Sequence, residues 1–465
     1  MHKIDQSSYP RKGYFHFDFP VHISQVQSYV QNPKMVSRHS FFPLIFYNKE
    51  VERYTTDDSK FTDNRPYYIK ERPIRYAGHL DGFIYKYYAE ELNDAYNNWS
   101  LKNGIDDCSV AYRDNKKRKS NIDFAAEVIS YAHNLKDSLI IVGDFADFFE
   151  SLDHKLLKTR ICEVLSCDYL SNDWYNVFKS VTKYGDIDKE KVESFFGDEN
   201  ELRARGYHQF VKNKAQLTEF RKEITIKSNT TGKGVPQGVP ISAVMANVYA
   251  ISFDQSINSI AKKYKGIYRR YSDDFVLVLP TAFNDGNQIE LLEELVKEIR
   301  KLAIDNQLII SEEKMHIYQR KDNKIFEILN DKKRIESALD YLGFVYDGNK
   351  VSIRQRSIEK FYRKMKKFVK KAKQKQKIYN NNNEETVMKK VPHSDLIYGL
   401  FSDRGFKTTN GRKRTNFIEY VKRSQSKFDQ ISPDTQNLML EQIKNRKKKL
   451  EKLLGHRIYV YLTDD

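Results

Sequence analysis

A strand that is apolar along its whole length and ends in an acid has few places to go except the rim of a buried sheet. This chain carries one at Ser138-Leu-Ile-Ile-Val-Gly-Asp144. A second unit, Ile267–Tyr271 and Phe275–Leu279 joined by Ser272-Asp273-Asp274, reads as a strand pair with two acids at its tip. If the two units are neighbours in one sheet, Asp144, Asp273 and Asp274 converge at its end. An isolated Asp-Asp is ordinary turn chemistry, since Asp favours turns. Three converging carboxylates suit a hard cation such as Mg²⁺, which takes one or two carboxylates and completes its octahedron with water and phosphate.

The rest of the pattern surrounds these acids. Arg72–Tyr85 reads as a turn entering an amphipathic helix that continues through Lys86–Leu92. Cys108–Arg113 reads as a strand, followed by a polar turn at Asp114–Lys119 and a helix capped around Asn121. A long connector, about 155–229, leads to the Gly/Pro-rich turn Gly232–Pro240 and one long helix from about Ile241 to Lys263. Strands and helices in irregular alternation predict an α+β core. Residues 351–390 hold 14 Lys+Arg against 3 Glu. Within them Ile358, Phe361, Tyr362, Met365, Phe368, Val369 and Ala372 recur at helical spacing, predicting one apolar stripe with a cationic back. Asn380–Asn383 is read as a break, and Ser432-Pro433 as the start of a last helix that ends at Gly455.

Composition narrows the partners. A net charge of +17 together with 31 Tyr and 28 Phe suits a polyanion with stackable bases, although a merely basic protein has the same balance. No apolar run reaches the roughly 18–20 residues of a membrane span, and the N-terminus MHKIDQSSYP has no signal-peptide apolar region. The three cysteines, Cys108, Cys162 and Cys167, make neither a disulfide framework nor a zinc spacing. A cytoplasmic protein without a membrane partner is expected.

Five segments, in order, carry a resemblance. Tyr271-Ser-Asp-Asp-Phe275 resembles the YxDD signature of reverse transcriptases, and Val142-Gly-Asp-Phe-Ala-Asp-Phe-Phe-Glu-Ser-Leu-Asp-His154 their first catalytic motif. Gly234-Val-Pro-Gln-Gly-Val-Pro-Ile-Ser242, followed by Ala246-Asn247-Val-Tyr249, resembles the second. Leu308–Lys314 resembles the next palm motif and Tyr341-Leu-Gly-Phe344 the primer grip. The resemblance implies a right-hand polymerase: 1–137 as N-terminal segment and fingers, 138–346 as palm with antiparallel sheet and the connector packing toward the fingers, 347–390 as a basic helical thumb, and 391–465 as a mostly helical extension. No match to an RNase H or endonuclease region is found.

Residue by residue, it implies that Asp144, Asp273, Asp274 and the backbone carbonyl of Phe145 hold two Mg²⁺ ions, with Mn²⁺ as an alternative. Lys314 matches the lysine proposed to protonate pyrophosphate; a solvated surface lysine is the plainer reading. Phe149 matches the ring that abuts the sugar's 2′-carbon and favours dNTP over NTP, and it also fits a core stripe with Leu152. Gln237 and Gly238 match the turn touching nucleotide and template, while Arg113 and Lys119 flank the fingers turn as triphosphate ligands. Lys364, Lys367 and Lys371, with Tyr341 and Gly343, are implied contacts to nucleic acid. Tyr459 and Tyr461 are candidate protein primers or merely an edge strand. The stretches Arg75–Tyr85, Val110–Arg113, Lys119–Phe124 and Thr415–Arg423 look most like the bacterial defence-associated, abortive-infection group, which is related to retron and group II intron enzymes. Ser272 departs mildly from their usual Ala. The expected function is RNA-directed DNA synthesis on a partner noncoding RNA, yielding cDNA, in antiphage defence, with a homo-oligomer left open. Template-independent or protein-primed synthesis, or an RNA-binding scaffold without catalysis, are the alternatives.

Overall fold

The computed structural model describes residues 3–54, 59, 61–62, 67–280, 287–329, 333–382, 392–406 and 415–458. Its largest sheet has six strands, all antiparallel: Arg334–Ser337, Lys324–Ile328, His316–Lys321, Ser138–Asp144, Asp274–Pro280 and Ile267–Tyr271, in that order. The acid-terminated strand therefore lies inside the sheet, and all seven of its residues are buried. Successive side chains point to opposite faces of a strand. Leu139 and Ile141 enter one core, with the helices His79–Lys102, Pro240–Tyr249 and Ile251–Lys263. Ile140 and Val142 enter a second, with the helix Asn121–Asn134. Two covered faces explain why the sequence is continuously apolar there. Gly143 lies opposite Phe275, and a Cβ on it would come within 2.3 Å of that ring. Its lack of a side chain lets the hairpin close against the strand beside Asp144.

Several expectations are corrected. Arg72–Tyr76 is the end of a strand, Tyr67–Tyr76, paired antiparallel with Leu44–Tyr54; the helix starts at His79. Pro73 stands on an edge strand, where a missing N–H spares the ladder. The Cys108–Arg113 strand reduces to a single bridge, Ser109 with Arg270. The helix expected over 241–263 is two, Pro240–Tyr249 and Ile251–Lys263, which meet at Ala250 without any Gly or Pro to signal the joint. The connector holds helices and two short strands, Gly185–Asp188 and Lys227–Ser228, that join the Leu44–Tyr54 pair in a four-stranded sheet.

The basic segment is one helix, Gln355–Asn382, whose described end falls inside the expected Asn380–Asn383 break; Asn383 lies outside the described residues. Ile358, Phe361, Met365, Val369 and Ala372 are buried as the periodicity predicts. The last element is not a single helix: a short turn at Pro433–Thr435 precedes Leu438–Gln442 and Arg446–Leu454, and Gly455 closes the latter at φ 82°. The basic helix, these C-terminal elements and a small sheet of Leu339–Tyr341, Phe344–Tyr346 and Val351–Ile353 share the second core with the helix Asn121–Asn134. Among the described residues no helix is long and apolar enough to cross a membrane.

Candidate active site at the end of the central sheet

Register brings the acids together. Asp144 is the direct partner of Asp274 across the Ser138–Asp144 and Asp274–Pro280 strands, with Asp273 in the adjoining turn. Ser272 takes a left-handed conformation, φ 63°, which a non-glycine residue adopts at a cost. The turn is tied down on both sides: the Phe145 amide donates to the Asp273 carbonyl at 3.1 Å, and the Ser311 amide to the Asp144 carbonyl at 2.8 Å. The Phe145 ring is buried against Phe148, Phe253 and Phe275. Lys314 reaches back from its short turn, its Nζ 2.5 Å from Asp144 Oδ1.

Electrostatics follow from this crowding. Displacement of water by the surrounding protein, with Asp273 and Asp144 close by, raises the Asp274 carboxyl to about 7, although Asp274 keeps contact with solvent. Desolvation and Asp144 likewise push Asp273 up. Among the described residues no group of three or more His, Cys, Asp or Glu is preassembled as a metal cage. The donor set nonetheless fits a cation that needs only one or two protein carboxylates. Two acids are raised by desolvation and by their carboxylate neighbours, and the third already holds an ammonium group.

Beneath the turn lies a buried network not identified from the sequence. Arg270, on the strand entering the turn, is wholly buried and donates to the Ser272 carbonyl at 2.9 Å. Its other nitrogens grip Asp254 at 2.8 and 2.6 Å, and the Tyr268 hydroxyl adds a third bond to that carboxylate. Asn247 receives Arg270 at 3.2 Å and the Ser109 hydroxyl at 3.0 Å, and donates to the Ala111 carbonyl at 2.8 Å. A charged pair at a strand–helix junction leaves no periodic trace; the only available signal was Arg270 interrupting an apolar pattern.

The Gly234–Gly238 turn packs against the segment after Asp144. The amides of Gly234 and Val235 donate to the carbonyls of Leu152 and Phe149, each at 2.8 Å, and His154 Nε2 lies 2.8 Å from the Gly234 carbonyl. Gln237 donates to Glu150 Oε1 at 2.7 Å, so a carboxylate currently takes the amide expected to meet nucleotide. Gly238 has φ 108°, and a Cβ on it would come within 2.3 Å of the Arg75 carbonyl. Its close approach is to the Tyr67–Tyr76 strand, whose Arg75 amide donates to the Gln237 carbonyl. Phe149 is half-buried and packs on the first core, so the core reading of this ring holds.

Other expected residues fare differently. Arg113 is a correction: its guanidinium is buried, bonded to Asn97, Asp106 and the Ser109 carbonyl, and stacked 4.6 Å from the Tyr96 ring. Its charge is already neutralised by Asp106, so it serves structure rather than a triphosphate. Lys119 is exposed and lines, with Tyr271, a recess of about 320 Å³. Tyr341 is also corrected, since it is buried with no partner for its hydroxyl among the described residues and lies inside the second core. Gly343 and Leu342 form the tight turn beside it, at φ 97° and 47°; Asn121 holds the Leu342 carbonyl and the Tyr420 hydroxyl, each at 3.0 Å. Lys364, Lys367 and Lys371 are exposed on the basic helix. Tyr459 and Tyr461 lie outside the described residues.

Over residues 84–346, more than half of the chain, the sequence matches the family described as "Reverse transcriptase (RNA-dependent DNA polymerase)". The chain belongs to the reverse transcriptase family. No curated protein matches this reverse transcriptase in sequence. Among solved structures it is similar to telomerase from Candida albicans in complex with a TWJ fragment of telomeric RNA, at TM-score 0.39 and 11% identity. That match covers 93% of this chain and 66% of the other. It is also similar to apo telomerase from Candida tropicalis truncated from its C-terminal domain, at TM-score 0.37 and 10% identity, covering 72% of this chain and 60% of that one. The reverse transcriptase thus spans less than two thirds of the length of these matched chains.

Proposed function

We propose that the protein is an RNA-directed DNA polymerase whose reaction centre is Asp144, Asp273 and Asp274. The observation that carries this reading is the register of Asp144 against Asp274, with Asp273 in the adjoining turn, inside a chain of this family. Asp144, Asp273, Asp274 and the Phe145 carbonyl would hold two divalent cations, Mg²⁺ or Mn²⁺. When bound, such ions supply activation of a 3′-hydroxyl and neutralisation of the leaving pyrophosphate. The protein's own contributions are separate. Phe149 is assigned to exclude a sugar 2′-hydroxyl and so to select dNTP. Lys314, already within reach of Asp144, carries a proton for the departing pyrophosphate. Gln237 changes partner from Glu150 to the incoming nucleotide, and Lys119 contributes a point charge from the 320 Å³ recess.

The Gln355–Asn382 helix acts as thumb, with Lys364, Lys367 and Lys371 on phosphates of a template–primer. The template is a partner noncoding RNA and the setting antiphage defence; the sequence stretches resembling the defence-associated group support both. The test is incorporation of labelled dNTPs by the protein purified with its nucleic acid and Mg²⁺, followed by sequencing of the product. Incorporation should vanish in the Asp273→Ala/Asp274→Ala double variant. Wild-type protein that binds RNA but incorporates nothing would overturn the polymerase in favour of a scaffold. A product without a template counterpart would favour untemplated synthesis.

A further inference from the structure

One concavity lies away from the acids. A cavity of about 690 Å³ opens between the N-terminal segment, the His79–Lys102 helix and the first turn of the Pro240–Tyr249 helix. Its size suits a drug-sized ligand such as a mononucleotide. Two buried acceptors line it without partners among the described residues: His79 Nε2 and Asn93 Oδ1, on residues 5% and 8% exposed. For His79 the ring's hydrogen bond to the Tyr14 backbone leaves Nε2 as the open nitrogen, and Tyr14 stacks on the same ring at 4.8 Å. For Asn93 the amide nitrogen is spent on the Tyr112 carbonyl at 2.9 Å, which leaves the oxygen. Buried acceptors without donors cost free energy, so each calls for a donor from outside.

The charges of the cavity are equally lopsided. Its three carboxylates are engaged within the fold: Glu90 by Tyr9 and Lys86, Asp114 by Asn97, and Asp5 as the cap accepting from Ser7. Lys12 and Lys117 also line it and make no ion pair among the described residues. Lys12 is part-enclosed beside Lys86, a second cation, and sits over the Tyr14 ring. The cavity thus offers open cations, two acceptors and aromatic faces.

We infer that this cavity is a second nucleotide site, taking a free nucleoside phosphate with its phosphates on Lys12 and Lys117 and its donor groups on His79 and Asn93. A phosphate chain alone, with at most one acidic proton at neutral pH, does not meet both acceptors; exocyclic amines and sugar hydroxyls do. The site shares Asn93, Tyr112 and Asp114 with the recess beside Tyr271, and its Pro240 opens the helix that follows Gln237-Gly238. Occupancy is therefore placed to bear on the catalytic turn without touching the acids.

The inference stands apart from the polymerase reading, and its test uses binding alone. Full-length protein would be dialysed to equilibrium against labelled ATP in the presence of EDTA. Saturable binding is expected, retained in Asp273→Asn and weakened about tenfold or more in each of Lys12→Ala and Lys117→Ala, since each loses a charge-assisted contact. Inorganic triphosphate should compete poorly. Absence of saturable ATP binding would overturn the inference, as would unchanged binding in both lysine variants or loss of binding in Asp273→Asn. Equal competition by triphosphate would remove the roles of His79 and Asn93. Binding of single-stranded RNA oligonucleotides to the same lysines, without binding of ATP, would show a strand path in place of a nucleotide site.

Discussion

At the scale of single residues, the crowded acids make one prediction and Phe149 makes another. Asp274 carries a carboxyl raised to about 7 from an ordinary value of 3.8. Below about pH 4 it is neutral in both folded and unfolded chains, so it imposes no penalty. As pH rises toward 7 the folded protein must ionise it in a desolvated setting beside Asp273 and Asp144, while the unfolded chain ionises it freely. Stability of the metal-free protein should therefore fall over that interval. Melting temperatures measured in EDTA from about pH 5 to about pH 8 should decline for wild type and flatten for Asp274→Asn, with the variant more stable at the upper end. A steeper decline in the variant would refute the repulsion. Phe149→Ala is expected to lower discrimination between dNTP and NTP by roughly tenfold or more, since one pocket-filling group is worth that range. The readout is the ratio of kcat/KM for the two substrates. Because the ring also packs on the core, a modest loss of melting temperature should accompany it.

Between elements, the buried pair Arg270–Asp254 joins the acid-bearing hairpin to the Ile251–Lys263 helix. Removing one partner of a wholly buried pair strands the other, so Arg270→Met should cost about 3–5 kcal/mol in denaturant unfolding. Arg270→Met with Asp254→Leu should recover much of that stability, yet leave incorporation low, because nothing then holds the Ser272 carbonyl. Full activity in the double variant would exclude the positioning role. On the basic helix, Lys364→Ala, Lys367→Ala and Lys371→Ala together should lower the salt slope of template–primer binding by roughly 2–3, with affinity falling alike for all sequences. How much of this was legible in the sequence differs by mechanism. The acid-ended strand, the hairpin and the stripe of the basic helix follow from burial periodicity, which is local. Tyr341 is decided by partners far along the chain, whereas Arg113 is decided by Asn97, Asp106 and Ser109, within 16 residues of it but in no periodic pattern. A free-looking arginine becomes structural once Asp106 and Asn97 fold onto it. Tyr341 is sealed by the C-terminal elements, whose packing the sequence pattern does not disclose.

For the molecule as a whole, the second core shows that the C-terminal segment is structural. Ile397, Phe401, Ile418, Val421, Phe428, Met439 and Leu450 pack in one cluster with Met365 and Val369 of the basic helix and Val142 of the central strand. Ending the chain after residue 390 would uncover those apolar faces. Aggregation, or loss of a cooperative unfolding transition by circular dichroism, is expected; a truncated protein that melts like wild type would contradict it. One long-range contact closes the chain on itself: Arg363 of the basic helix meets Glu52 of the Leu44–Tyr54 strand at 2.8 Å. This link between the basic helix and that strand is a solvent-exposed ion pair. Such a pair contributes about 0–1 kcal/mol, comparable to thermal energy, and is screened by salt. The link therefore opens and re-forms many times before any core loosens.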